Sequence, residues 1–142
     1  MNPIYYEKLL EFMNQIPFNR WLGIEVVSLE PGFARMELPY RKELVGDISR
    51  PALHGGVTST LLDTCGGAAL ITNIEPVDRL STVDLRIDYL RPGACERVIV
   101  EARVLRVGNR VGVCDMIAYQ SDGREAPIAI GRGVYNVIRR PD

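Results

Sequence analysis

The sequence predicts an α+β fold: a six-stranded antiparallel β-sheet wrapped around one long α-helix, with a short helix at the N-terminus. Three observations carry this. Apolar residues recur at every second position in several short runs, the period of a half-buried strand. From Gly56 to about Asn73 the period changes: Val57, Leu61, Thr64, Ala68 and Ile71 fall on one helical stripe flanked by Ala69 and Leu70. A helix this apolar belongs inside the molecule. The order is helix, two strands, long helix, four strands, which suits a sheet packed on a single helix.

The elements follow in order. Tyr5, Tyr6, Leu9, Leu10, Phe12, Met13 and Ile16 recur at helical spacing, so a short amphipathic helix is expected from about Pro3 to Gln15, stopped by Pro17. Trp21 to Leu29 reads as a strand, and Glu30-Pro31-Gly32 as a turn. Ala34, Met36 and Leu38 alternate with Arg35 and Glu37, the mark of a half-buried strand. Tyr40 to Ala52 has no period and contains Gly46, Asp47, Ser49 and Pro51; it is expected to be a loop. After the long helix, Val83, Leu85, Ile87 and Tyr89 alternate with Thr82, Asp84, Arg86 and Asp88, and Arg91-Pro92-Gly93 ends the strand. Val98 to Val107, a Gly108-Asn109 turn and Arg110 to Gln120 form the next pair. Ser121-Asp122-Gly123 is read as a hairpin turn before a last strand from Pro127 to Ile138. Gly66 and Gly67 cost the long helix roughly 1 kcal/mol each relative to Ala, so another backbone is expected to approach closely there.

Composition narrows the function classes. The chain has 142 residues, 46% hydrophobic and 25% charged, ordinary values for one globular domain over 1–142. A net charge of −1 argues against a broad nucleic-acid or membrane surface. Cys65, Cys95 and Cys114 are odd in number and include no close pair, so a disulfide or zinc framework is not expected, and a reducing, cytoplasmic setting fits. The N-terminal stretch carries Glu7, Lys8 and Glu11 and no long apolar run, so neither a signal peptide nor a membrane span is expected.

The chemistry concentrates between Leu53 and Gly67. His54, the one histidine of the chain, is followed by Gly55 and Gly56, and Asp63 stands nine residues after it. A glycine turn opening a helix presents backbone N–H groups to a developing negative charge. Gly55 and Gly56 serve either this oxyanion role or simply a tight turn. His54 is either a general base or a turn residue whose ring bonds the backbone. Asp63 interrupts an apolar helix, where a carboxylate is costly without partners. It either faces solvent or a hydroxyl such as Ser59 or Thr60, or acts as base or nucleophile; beside the glycine turn the catalytic reading is favoured. Acid and turn together suggest acyl transfer.

Asp63 lies seven residues past Gly56, two full turns or roughly 10 Å along the axis. Both cannot touch one carbonyl carbon within a single chain. If both act, Asp63 of one subunit faces the glycine turn of another, across a two-fold interface where Gly66 and Gly67 would allow close packing. Arg91, Arg106 and Arg110 are expected to cluster near predicted strand ends and turns. They are either solvated or, near Gly93 and Gly108-Asn109, able to hold phosphates. The cysteines have no base or helix-start context and are expected to be inert.

Leu53-His54-Gly55-Gly56 followed by Leu62-Asp63 resembles the hot-dog-fold acyl-CoA thioesterases of the phenylacetate-degradation type, within the 4-hydroxybenzoyl-CoA thioesterase superfamily. Thr82 to Pro92, Val104 to Arg110 and Ile128 to Tyr135 also fit that family, so the resemblance covers about residues 20–138, with residues 1–18 as the N-terminal helix. The resemblance implies a hydrolase acting on acyl-CoA, as a homodimer or homotetramer with paired sites between subunits and without metal or redox cofactor. It implies that the Gly55 N–H polarises the thioester carbonyl, that Asp63 is base or nucleophile, that His54 positions the turn, and that Thr82 orients water. Substrate and coenzyme A contacts are implied at Gly56, Asp47, Tyr89, Arg91, Arg106, Gly108, Asn109 and Arg110. Many family members carry Asn where Asp47 stands; a carboxylate accepts hydrogen bonds but does not donate them. A non-catalytic acyl-CoA-binding module is the alternative, though it would lack the acid or carry a spare domain. A hot-dog dehydratase would place a catalytic His against an acid in a different helix context.

Overall fold

The computed structural model describes residues 3–141. Helix α1 spans Pro3–Gln15 and ends before Pro17 as expected; Met1, Asn2 and Asp142 lie outside the described residues. Pro17 stops one helix and starts another. Helix α2, Pro17–Leu22, has the proline in its first turn, where the missing N–H is not needed. Trp21 and Leu22 are therefore helical, and strand β1 begins only at Glu25, running to Glu30. The expected strand from Trp21 ignored that start signal. Arg41 closes α2 by donating to the carbonyls of Trp21 and Leu22, which have no partner within the helix.

Strand β2, Phe33–Leu38, buries Ala34, Met36 and Leu38 and turns Arg35 and Glu37 outward, as its alternation requires. The following loop holds more structure than expected: a 3₁₀ turn at Lys42–Leu44 and a small ladder of β3, Val45–Asp47, with β4, Ala52–Leu53. Helix α3, Gly55–Ile71, comes next, followed by β5 (Arg79–Tyr89), β6 (Val98–Val107), β7 (Val111–Tyr119) and β8 (Ala129–Ile138). The β7–β8 connection is a longer loop over 120–128 rather than a tight hairpin, with Ile128 N–H returning to the Ala118 carbonyl at 2.9 Å.

The large sheet has six strands in the order β1-β2-β6-β7-β8-β5, every pair antiparallel. Its inner face carries Met36, Leu38, Val98, Val100, Cys114, Met116, Tyr135 and Val137. Helix α3 lies across this face and buries Leu61, Leu62, Cys65, Ala68, Ala69 and Leu70 completely. Thr64 and Ile71, expected on the buried stripe, are only partly covered, because they turn toward α1 rather than the sheet. Strand β5 forms one edge of the sheet, so half its backbone groups have no strand neighbour, and Val83 on it is 66% exposed.

The thiols of Cys65 and Cys114 donate to the carbonyls of Ala34 and Gly66, at 3.4 and 3.3 Å. Burial pushes Cys65 far above its ordinary value and Cys114 up to about 12, so both stay protonated and inert.

Candidate active site

Helix α3 begins with a cap made by its preceding residue. His54 has extended backbone, and its Nδ1 accepts the Gly56 N–H at 2.8 Å. The ring proton therefore sits on Nε2. Of the two roles the sequence left open for His54, the structure shows the backbone-bonding one. A Cβ on Gly56 would lie 2.9 Å from Nδ1, so any larger residue would displace the ring. The Val57 N–H goes to the His54 carbonyl at 3.0 Å. The Gly55 N–H meets no acceptor among the described residues, and it lies at the positive end of a 17-residue helix. Tyr89 packs beside it and donates to the Gly55 carbonyl at 3.1 Å.

Asp63 is half-buried two turns further along. Its Oδ1 accepts the Thr82 hydroxyl at 2.9 Å and the Tyr135 hydroxyl at 3.3 Å; Tyr135 also donates to the Asp63 carbonyl at 2.9 Å. Thr82 and Tyr135 are directly paired across β5 and β8. The two hydroxyls therefore reach one carboxylate as cross-strand neighbours. A bulge at Val83 interrupts the ladder immediately after Thr82 and re-aims the strand there. Ser59 and Thr60, the hydroxyls expected near Asp63, instead bond back to the Gly56 carbonyl, at 3.1 and 2.8 Å.

Tyr135 was absent from the expected site, although it stood within the motif that closes the chain. It is 1% exposed. Burial, then the charge of Asp63, push its phenol well above the ordinary tyrosine value, so it remains a donor. Its ring occupies space that two glycines leave open. A Cβ on Gly66 would stand 2.4 Å from the Tyr135 hydroxyl and 2.4 Å from Met116 Cε, and one on Gly133 2.6 Å from the ring. This corrects the expectation for Gly66: a tyrosine side chain, not a second backbone, fills the gap. Gly67 has ordinary clearance.

Asp63, Thr82 and Tyr135 share a cavity of about 280 Å³ with Phe12, Met13 and Ile16 of the N-terminal segment. His54 and Gly56 line a different hollow, beside Trp21 and Arg41, and Gly55 a third with Tyr89 and Arg91. The fold thus separates the acid from the glycine turn within one chain, as the spacing along the helix requires.

The three arginines divide as well. Arg91 lies near Gly55 at the start of α3. Arg106 and Arg110 flank the Gly108-Asn109 turn, and Gly112 just beyond it packs on Leu70 near the end of α3, roughly 20 Å away along the helix axis. The expected single cluster does not exist in one chain. All three are exposed and in no ion pair among the described residues. Arg139, which the sequence reading passed over, holds the turn by donating to the Gly108 and Asn109 carbonyls at 3.2 Å each, and to Asp78. Asp47 is engaged locally: its Oδ1 accepts from the Ser49 N–H at 2.9 Å, the Ser49 hydroxyl at 2.6 Å and the Arg50 N–H at 3.3 Å. The Ser49 hydroxyl, then the Arg50 and Ser49 N–H groups, hold its carboxyl below the ordinary aspartate value.

A six-stranded antiparallel sheet on one central helix, with a capped glycine turn at the helix start and an acid at its middle, defines a hot-dog protein. Residues 51–127 match the family model of the thioesterase superfamily. The chain belongs to that superfamily. It is 34% identical over 124 residues to the medium/long-chain acyl-CoA thioesterase YigI of Salmonella typhimurium, covering 78% of this chain and 80% of that one. Its Escherichia coli counterpart is 36% identical over 115 residues, covering 72% and 74%. A crystal structure from Shewanella oneidensis, related to the thioesterase superfamily, superposes with a TM-score of 0.83 at 33% identity and covers 96% of this chain and 99% of that one.

Proposed function

We propose that this protein is an acyl-CoA thioesterase, hydrolysing the thioester to a free acid and coenzyme A at a site shared between two copies of the chain. One observation carries the reading: Asp63, held by Thr82 and Tyr135, opens into an apolar cavity, while the unpaired Gly55 N–H sits two turns away on the same helix. Neither half is complete alone, and a two-fold partner supplies the missing half to each. The free edge of β5, beside Thr82, supports this, since an exposed edge can pair with a second copy. A dimer is the smallest unit that satisfies the geometry; a tetramer contains it twice.

In this reading the Gly55 N–H, with the helix dipole behind it, holds the carbonyl oxygen as it gains charge. Asp63 of the partner subunit takes a proton from water, or attacks the carbonyl carbon and forms a mixed anhydride. Thr82 and Tyr135 keep the carboxylate oriented, and His54 fixes the turn. In the first route hydroxide adds to the carbonyl carbon, the C–S bond breaks and the thiolate takes the proton held by Asp63, leaving as coenzyme A. In the second the thiolate leaves as the anhydride forms, and water then cleaves the anhydride, releasing the acid, restoring the carboxylate and supplying the proton for the thiolate. No oxidation state changes, and the step needs no metal or redox cofactor. The acyl chain occupies the cavity lined by Phe12, Met13 and Ile16, and its apolar walls suit the medium and long chains that the YigI relatives are named for. Arg91, Arg106 and Arg110 carry unpaired charge for the nucleotide end; Arg106 and Arg110 reach it from the far end of α3.

The test is a panel of acyl-CoAs with thiol detection. Turnover of at least one is expected, and turnover of none overturns the reading in favour of a binding module. Single-turnover reaction in ¹⁸O water separates the two routes, because only the anhydride route labels the Asp63 carboxylate.

A further inference from the structure

Helix α1 covers more than the site needs. Beyond the cavity that holds Asp63 lies a second one of about 550 Å³, lined by Tyr5, Leu9 and Ile74 among others. The two cavities share three residues: Phe12 of α1, Ile71 at the end of α3, and Leu80 at the start of β5. These three residues stand at the boundary where the two hollows adjoin, and Lys8, Glu75, Asp78 and Arg79 also line the second. The roof is tied at two points: the Tyr5 hydroxyl donates to the Ile71 carbonyl at 3.4 Å, and the buried Asn19 amide donates to the Met13 carbonyl at 3.2 Å.

Resting on the function proposed above, we infer that the acyl tail runs from Asp63 through the waist of Phe12, Ile71 and Leu80 into the second cavity, so that α1 sets which chain lengths the enzyme prefers. The dimensions fit a long chain. Asp63 and Ile71 are eight residues apart on one helix, about 12 Å. An extended saturated chain advances roughly 1.25 Å per carbon, so about ten carbons reach the waist and longer tails enter the second cavity. A chain in either cavity removes apolar surface from water, and each buried methylene adds roughly fourfold to kcat/KM where the binding is expressed in the transition state. The second cavity can therefore reward only carbons beyond the waist.

The experiment compares wild type, Ile71→Phe and Leu9→Phe on straight-chain acyl-CoAs from hexanoyl to hexadecanoyl, reading the ratio of kcat/KM for tetradecanoyl-CoA to that for hexanoyl-CoA. Binding of the matching S-alkyl thioethers of coenzyme A, which cannot be hydrolysed, is measured alongside. Ile71→Phe closes the waist and should lower the ratio at least tenfold. Leu9→Phe fills the second cavity and should lower it for the longest chains first. The thioether affinities should shift in the same order. Ratios and thioether affinities unchanged in both variants overturn the inference while leaving the thioesterase reading in place. Absence of any acyl-CoA turnover by wild type overturns that reading instead, and the thioether series still decides whether tails occupy the second cavity. If Leu9→Phe fails to fold, Ile71→Phe, at a partly exposed position, decides alone.

Discussion

Asp63 is oriented by two hydroxyls that differ in accessibility: Thr82 is exposed, and Tyr135 is enclosed between α3 and β8. Asp63→Asn keeps the shape and removes the charge. Turnover should fall at least a hundredfold with melting temperature and assembly kept, since a positioned base or nucleophile contributes that much or more; near wild-type kcat on the best substrate would refute the role. Gly55→Pro isolates the other half. Proline is tolerated at the first helical position, and His54, at φ −62° and ψ 132°, already has the backbone that a residue before proline requires. The change deletes one N–H and brings a Cβ into van der Waals contact with the Tyr89 ring, at 3.4 Å. It should cost on the order of 10²–10³ in kcat, the range for losing one oxyanion donor, and a folded variant with unaltered kcat would remove Gly55 from the mechanism. The placement of His54, Gly55, Gly56 and Asp63 at the start and middle of one helix was legible because they are close in sequence and the helical period fixes their spacing. Tyr135 was not: it lies 72 residues from Asp63, and only strand pairing brings it there.

Helix α3 and strand β8 fit together through one large ring and two absent side chains. Gly66→Ala gains roughly 1 kcal/mol of helix propensity, yet places a methyl 2.4 Å from the Tyr135 hydroxyl and Met116. Overpacking of this kind typically costs about 1–3 kcal/mol, so urea titration should show a net loss of stability, and kcat should fall as Tyr135 is displaced from Asp63. A stabilised, fully active variant would show that the ring has room to move. Element types were mostly readable because alternation and helical stripes survive in the sequence. The exception at α2 is instructive. Phe18 and Trp21 are 52% and 72% exposed while Leu22 and the polar Asn19 are buried, so hydrophobicity there did not mark the buried face, and the proline that ended α1 was also the start of the next helix. Strand order was not readable at all, since β1 and β5 as edges follow from long-range pairing rather than local pattern.

For the whole molecule the charge is nearly balanced, with a net −1, so the proposed binding of a nucleotide would rest on local cations. Removing charge at Arg106 and Arg110 together should raise KM for acyl-CoA more than it lowers kcat, with little effect on the matching acyl-pantetheine. Equal changes for both substrates would place these arginines away from the phosphates. A dimer with shared sites predicts a further arithmetic. Inactive Asp63→Asn and inactive Gly55→Pro chains, refolded together in equal amounts, should regain roughly a quarter of wild-type activity, because half the dimers are mixed and each has one intact site. No recovery, or a fully active monomer, would refute sharing. The distance that α3 imposes between its acid and its first N–H has a genetic side. In a dimer with shared sites, a chain carrying both lesions damages each site it enters, so an equal mixture with wild type would retain roughly a quarter of the activity of the same total amount of wild type, rather than a half. Such an allele would be dominant although its product folds, assembles and binds as before, and the cause would be nothing more than the length of two helical turns.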